Sequence, residues 1–338
     1  MAVAWVFPGQ GAQVVGMGRD LYHHSIAARE VFDHANTVLG FDLARLCFEG
    51  PDAALMQTEN AQPALLTVSI ALLRTFDMWI QYPQIRTAVA PAAVAGHSLG
   101  AYTALVAAGS IDLSTALRLV RRRGELMAAA RDGTMAAIIG MELEPLERLC
   151  ADVWADTGET VVIANHNAPD QLVISGATIA VERVSAQAKK HGARRVIDLK
   201  VSAAFHSPLM AGAVQQMQQM LTQISVSDPL FPVWSNVSAT PIVQACEVRE
   251  ELQRQVVSPV RWMESVQAMY GQGIDTFIEL GAGKVLTGLI KRIVPAAHII
   301  NLRSLNDIED FVVQLTTEAN LPEPERSRVL RQARGHVG

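Results

Sequence analysis

Residues Ala92–Gly109 read AAVAGHSLGAYTALVAAG. A short apolar run, Ala92 to Ala95, meets Gly96-His97-Ser98-Leu99-Gly100 and then a segment of helix-forming residues. This order predicts a strand, a sharp turn and a helix. Gly-x-Ser-x-Gly at such a junction is the nucleophile-elbow pattern. Its glycines answer a steric need, because a tight turn brings strand and helix backbones too close for a Cβ. Ser98 would then stand at a helix N-terminus, where free N–H groups and the positive end of the dipole favour a developing anion. The same five residues can also form a purely structural turn, so a chemical reading needs partners elsewhere in the chain.

The rest of the 338-residue chain is sized for one large domain or two unequal ones. Half of its residues are hydrophobic and 18% are charged, enough for a sizeable core. A net charge of −5 gives no bias toward nucleic acid. Cys47, Cys150 and Cys246 are far apart and form no CxxC, so neither a disulfide framework nor a metal site is expected. The N-terminal MAVAWVFPGQGA lacks a basic leader and reads as a first strand, not a signal peptide. The longest apolar stretch, Ala64 to Leu73, stops at Arg74 and is too short to span a bilayer. The expectation is a soluble, cytoplasmic α/β protein with no membrane association.

Outward from the elbow, Val3 to Phe7 reads as a strand ending in Pro8-Gly9-Gln10-Gly11. The N–H groups of this turn could line a site, but it lacks the lysine and glycine spacing of a phosphate loop. Helices are expected over Ile26–Leu39, Gln62–Trp79 and Leu113–Ala130. Then come a strand at Met135–Gly140, a helix at Glu144–Trp154, and strands at Thr160–Ala164 and Gln171–Ser175 joined by a turn-rich Asn165–Asp170. A helix at Ile179–His191 and a strand at Arg195–Leu199 follow. That β-α-β-β-α-β order is the ferredoxin-like split pattern, here a small domain over 132–197 inserted into a larger one over 1–131 and 198–315. Beyond it, a helix at Leu209–Ile224 and strands at Val233–Asn236 and Thr276–Leu280 are expected, with a tail over 316–338.

A serine hydroxyl needs a positioned base. His97 adjoins Ser98, and adjacent side chains in a turn diverge, so it is a poor candidate. His23, His24, His34, His191 and His336 lie in polar surroundings. His206 differs: it follows an apolar segment, adjoins Phe205 and precedes Ser207-Pro208 at a helix start. An unperturbed imidazole titrates near about 6.5, so a rate that depends on it should fall as pH drops through that value. On the Leu113–Met127 helix, Arg123 shares the face of Ala116, Leu119, Val120 and Met127, whereas Arg118, Arg121 and Arg122 fall on the opposite, solvated one. An arginine on an apolar face needs an anion: either a buried Asp or Glu, or a substrate carboxylate held bidentately.

FPGQGAQVVGMG (Phe7–Gly18), GHSLG (Gly96–Gly100), RRRGELM (Arg121–Met127), VSAAFHSPLM (Val201–Met210), SPVRW (Ser258–Trp262) and ELGAGKVLTGL (Glu279–Leu289) occur in one order across residues 3–305. In these motifs the chain resembles the malonyl-CoA:acyl carrier protein transacylases and the related polyketide acyltransferases. The resemblance implies an α/β-hydrolase-like core with a small ferredoxin-like domain. It implies Ser98 as nucleophile, His206 as base and Arg123 as the clamp for a malonyl carboxylate. It further implies that the backbone N–H groups of Gln10 and Leu99 form an oxyanion hole, and that a backbone carbonyl near Gln255 orients the histidine. Leu99 and Phe205, beside nucleophile and base, would border the acyl pocket, and the aromatic resembles the malonyl-selective branch. One departure is Ala101, where the family usually has Glu.

The implied partners are a coenzyme A thioester and an acyl carrier protein, the implied form a monomer, and no cofactor is called for. The salient alternative is a serine thioesterase or esterase acting on an acidic acyl thioester, with Asp170 or Asp198 completing a triad. A docking module without activity is the third reading, disfavoured by the presence of Ser98, His206 and Arg123.

Overall fold

The computed structural model describes residues 2–130, 133–199, 201, 203–319 and 323. Its strands, in chain order, are β1 (Ala2–Phe7), β2 (Pro91–Gly96), β3 (Thr134–Ile139), β4 (Val161–Ala168), β5 (Gln171–Gly176), β6 (Arg195–Asp198), β7 (Val233–Trp234), β8 (Pro241–Ile242), β9 (Ile274–Leu280) and β10 (His298–Leu302). They form two sheets. One has six strands in the order β10-β9-β1-β2-β7-β8, and the other four in the order β4-β5-β3-β6. In the larger sheet every pairing is parallel except β7 with β8. The smaller one is antiparallel throughout.

A parallel sheet must be covered on both faces, and β1 shows how the sequence achieves it. Successive side chains of a strand point to opposite faces. Val3, Trp5 and Phe7 join the core under the buried Thr58–Trp79 helix, while Ala4 and Val6 join a second core with Trp234, Trp262, Phe277 and Ile290. The alternation continues in β2, with Val94 on the first side and Ala93 and Ala95 on the second. In the smaller sheet, Ala136, Ile138, Leu172 and Ile174 pack under the Leu143–Thr157 and Thr178–Lys190 helices.

The parallel register sets Phe7 beside Gly96, so the turns that leave β1 and β2 emerge side by side. Crevices at the carboxyl ends of such strands are where ligands bind in open α/β sheets. The two sheets meet near this end. Asn165 of β4 bridges Val260, and the His166 N–H donates to the Val260 carbonyl at 2.9 Å.

Several sequence expectations are corrected. The stretch expected as a turn, Asn165–Asp170, is mostly strand. β4 runs through Ala168 with two register shifts, and its Asn-rich end is fixed by pairing with β5 and Val260. The strand expected over Val233–Asn236 ends at Trp234, because Ser235 and Asn236 leave the sheet to bond elsewhere. The helix expected from Gln62 starts at Thr58, ahead of Pro63. Proline leaves the carbonyl four residues earlier without its helical donor. That carbonyl, on Glu59, accepts instead from Arg121 Nη1 at 3.0 Å, so Arg121 is half-buried on a face expected to be solvated. The first residues of the stretch expected as a tail over 316–338 are helical: the last helix runs through Glu318, with Thr316 buried. The rest of that stretch, apart from Ala319 and Glu323, lies outside the described residues, as does His336. β8 and β10 had no sequence counterpart.

Among the described residues, no helix is long and apolar enough to cross a membrane.

Candidate active site

The elbow forms as the glycine spacing requires. A Cβ on Gly96 would lie 1.9 Å from the Gly100 carbonyl group, and one on Gly100 would lie 2.1 Å from the Phe7 oxygen. Neither position admits a side chain. The turn holds Ser98 at φ 49°, in the left-handed region that L side chains rarely occupy. His206 is also left-handed, at φ 57°. Such conformations persist only where surrounding contacts fix them, and they concentrate at functional sites.

The two residues meet. Ser98 Oγ lies 2.8 Å from His206 Nε2, although 108 positions separate them. On the far side of the ring, Nδ1 lies 2.9 Å from the Gln255 carbonyl and 3.1 Å from that of Ser258. Carbonyls only accept, so Nδ1 carries the proton and Nε2 is left to accept from the serine hydroxyl. Neither acid considered for a triad is at the ring. Asp170 pairs with Arg194 and Arg292, and Asp198 lies on β6 at the outer edge of the small sheet.

His97, passed over because it adjoins Ser98, indeed points elsewhere: its Nε2 lies 2.7 Å from Asn167 Oδ1 and its ring sits edge-on to Trp262.

Arg123 is 2% exposed. Its Nη1 donates to Gln62 Oε1 at 2.8 Å, and its Nη2 donates to Ser98 Oγ at 3.0 Å and Gln255 Oε1 at 3.4 Å. The guanidinium carbon lies 5.6 Å from the Tyr102 ring centre. No acid pairs with Arg123 among the described residues, and its Nε has no partner. Of the two sequence alternatives, the buried Asp or Glu is therefore not found among the described residues. A buried cation with only neutral partners is destabilised by desolvation, and burial lowers its pKa.

The same burial, followed by the charge of Arg123, pushes the His206 pKa down from 6.5 to about 3. The value near 6.5 expected for an unperturbed imidazole therefore does not apply to this ring. The ring is neutral, and so able to accept a proton, well below the pH at which a solvated histidine would protonate.

Two backbone donors complete the arrangement. Among the described residues, the amide N–H groups of Gln10 and Leu99 have no hydrogen-bond acceptor. They belong to the turns after β1 and β2, which Phe7 ties together by accepting from the His97 N–H at 3.1 Å. Phe205, 7% exposed, lines a cleft of about 320 Å³ with Gln10, Met56, Thr58 and Ala128. Leu99, within the elbow, is buried and does not line this cleft.

Sequence reasoning missed three residues that hold these groups. Gln62, fully buried, ties Arg123 to Thr58, which in turn donates to Gln10 Oε1 at 2.8 Å. Asn236 bonds both sides of the elbow, and the buried Glu251 accepts from its N–H at 2.9 Å. Gln62 and Glu251 do sit within apolar helix patterns, a usable signal; Asn236 lies in a loop and has none.

Residues 4–315 match the acyl transferase domain family. The malonyl CoA-acyl carrier protein transacylase of Bacillus subtilis (strain 168) is 42% identical over 321 residues, spanning 94% of this chain and 98% of that relative. Among solved structures, the acyl-carrier-protein-S-malonyltransferase of Bartonella henselae superposes with a TM-score of 0.88 at 38% identity, covering 93% of this chain and 99% of its own. A malonyl-transacylase in complex with its type II PKS acyl-carrier protein superposes with a TM-score of 0.85 at 39% identity, covering 95% of this chain and all of that one.

Proposed function

We infer the function from one premise: the chain belongs to the acyl transferase domain family. It is an acyltransferase that moves a malonyl group from malonyl-CoA to an acyl carrier protein, a step of fatty-acid or polyketide synthesis. The finer assignments below are our reading of the site.

Ser98 is the nucleophile. As its Oγ bonds to the malonyl carbonyl carbon, the hydroxyl proton passes to His206 Nε2. The N–H groups of Leu99 and Gln10 receive the charge that develops on the carbonyl oxygen. The C–S bond then breaks, and His206 returns the proton to the departing coenzyme A sulfur. In the second half, the phosphopantetheine thiol of the carrier gives its proton to His206 and attacks the malonyl-serine. The C–Oγ bond breaks and Ser98 regains its hydrogen. Two moderate steps replace a direct exchange between two large thioester partners. The Gln255 and Ser258 carbonyls hold the ring in the tautomer that both halves use.

The observation that carries this reading is Arg123: a buried guanidinium that donates to the Ser98 hydroxyl and has no acid partner among the described residues. A simple esterase has no use for such a charge beside its nucleophile. An acyl group ending in a carboxylate supplies the missing anion, bidentately, and is held in place for transfer.

The strand order β4-β5-β3-β6 supports reading 132–197 as a ferredoxin-like domain, with β6 adding Asp198. The parallel sheet with its serine elbow supports an α/β-hydrolase-like core for the remainder. We read the enzyme as cytoplasmic; that nucleophile, base and clamp all come from one chain supports reading it as a monomer. The steps written above draw on this chain's own groups and call on no cofactor.

The test is radiolabelled malonyl-CoA with and without carrier protein. Label should move to the carrier. Free malonate in its place would make the enzyme an acid-selective thioesterase.

Selectivity against a branched acyl group follows from Phe205. Excluding one methyl by shape is worth about 1–3 kcal/mol, or roughly tens- to hundreds-fold. Phe205→Ser should raise methylmalonyl transfer by that factor while Ser98 still acylates. Unchanged kcat/KM for methylmalonyl-CoA would place the steric limit elsewhere.

A further inference from the structure

We propose that Asn236 is a positioning residue for Ser98, holding the nucleophile in its left-handed conformation. The proposal rests on the acyl-transfer reading and extends it to a residue that touches no substrate. Asn236 lies 138 positions from Ser98, on the loop that leaves β7. Its Oδ1 accepts from the Ser98 N–H at 2.8 Å, and its Nδ2 donates to the Gly96 carbonyl at 2.8 Å. One planar amide thus spans the elbow, taking the donor of the serine and the acceptor two residues before it. The Gly96 carbonyl belongs to the last residue of β2 and the Ser98 N–H lies beyond it, and both precede the helix that starts at Gly100. Without the amide they would lack partners in a buried setting, which native structures avoid.

The amide is itself fixed. Its backbone N–H donates to Glu251 Oε1 at 2.9 Å, while Ser235 Oγ donates to the other Glu251 oxygen. Ser235 Oγ accepts in turn from the N–H groups of Val237 and Ser238. Glu251 is 6% exposed, and burial raises its pKa while these hydrogen bonds oppose the rise. Gln255 Nε2 also reaches Asn236 Oδ1 at 3.3 Å and the Ser98 carbonyl at 3.0 Å. The bracing therefore runs from Glu251 through Asn236 to both sides of Ser98. Gln255, whose carbonyl orients His206, joins the same net. A left-handed residue bearing a Cβ stays put only if its surroundings over-determine it. Asn236 supplies that determination directly at the reacting residue.

Single-turnover acylation by malonyl-CoA tests this, because it separates rate from amplitude. Asn236→Ala should lower the Ser98 acylation rate constant roughly 10–100-fold, the scale of a misplacement near 1 Å. The amplitude should stay at one malonyl group per chain, and the KM for malonyl-CoA should move less than about threefold, because Arg123 and the cleft are untouched. Asn236→Asp keeps the acceptor for Ser98 but loses the donor to Gly96, so its rate should fall between those of wild type and Asn236→Ala. It also serves as the second variant if the alanine form folds poorly. A wild-type rate constant in both variants overturns the proposal. So does a reduced amplitude with an unchanged rate constant, which means only that less protein is folded. Absence of a malonyl adduct in the wild-type enzyme would instead overturn the acyl-transfer reading on which the proposal rests.

Discussion

Ser98→Ala should gain no malonyl group when incubated with malonyl-CoA, quenched in acid and weighed, whereas the wild-type chain gains one. The change deletes only the oxygen that attacks. The two backbone donors, the Arg123 clamp and the cleft remain, so malonyl-CoA should still bind. His206→Ala should leave the adduct chemically possible but slow, by roughly 10²–10⁴, the usual contribution of a general base. The difference between the two variants is diagnostic. In acylation His206 first takes the proton of the Ser98 hydroxyl 2.8 Å away and then passes that proton to the departing sulfur. Both acts presuppose attack by Ser98 Oγ, so combining the substitutions should look like Ser98→Ala alone. An adduct that survives in Ser98→Ala would place the nucleophile elsewhere. Acylation at the wild-type rate in His206→Ala would mean that another group takes the proton.

Much of this site could be read from the chain because its parts are local. The elbow is five contiguous residues whose glycines are dictated by contacts of 1.9 and 2.1 Å, and Arg123 betrayed itself by lying on an apolar helical face. The fold was legible for a similar reason. Alternating or continuous apolar runs mark β1, β2 and β9, which are buried in the middle of the sheet. What stayed hidden depends on tertiary contact. β8 is two residues long and exists by pairing with β7. The end of β4 looks like a turn in composition and is held as strand by β5 and Val260. Asn236 carries no periodic or motif signal, since its partners lie 138 and 140 positions away. The His206 titration could not be read either, because it depends on burial and on a charge contributed by the distant Leu113–Ala129 helix.

Arg123→Ala should separate two substrates that the other variants treat alike. Malonyl transfer should fall roughly 10²–10⁴-fold in kcat/KM, since losing one partner of a buried ion pair costs about 3–5 kcal/mol, at about 1.4 kcal/mol per decade. Acetyl transfer should hold or rise. An acetyl group brings no anion, so in the wild-type enzyme it leaves a buried cation unpaired beside the nucleophile, a penalty that the variant lacks. The pH dependence gives a second, independent readout. His206 acts in its neutral form, so the rate falls only as pH drops through its pKa. In the wild type, burial first and Arg123 second push that pKa down to about 3, and no loss should accompany a drop through 6.5. Removing the guanidinium leaves burial in place but removes the second cause, so the acidic fall in acetyl kcat/KM should move to higher pH. Both shifts come from one charge. If Arg123→Ala instead lowers acetyl and malonyl transfer equally and the acidic limb stays where it was, Arg123 serves the packing of its helix, and the malonyl carboxylate is held by another group.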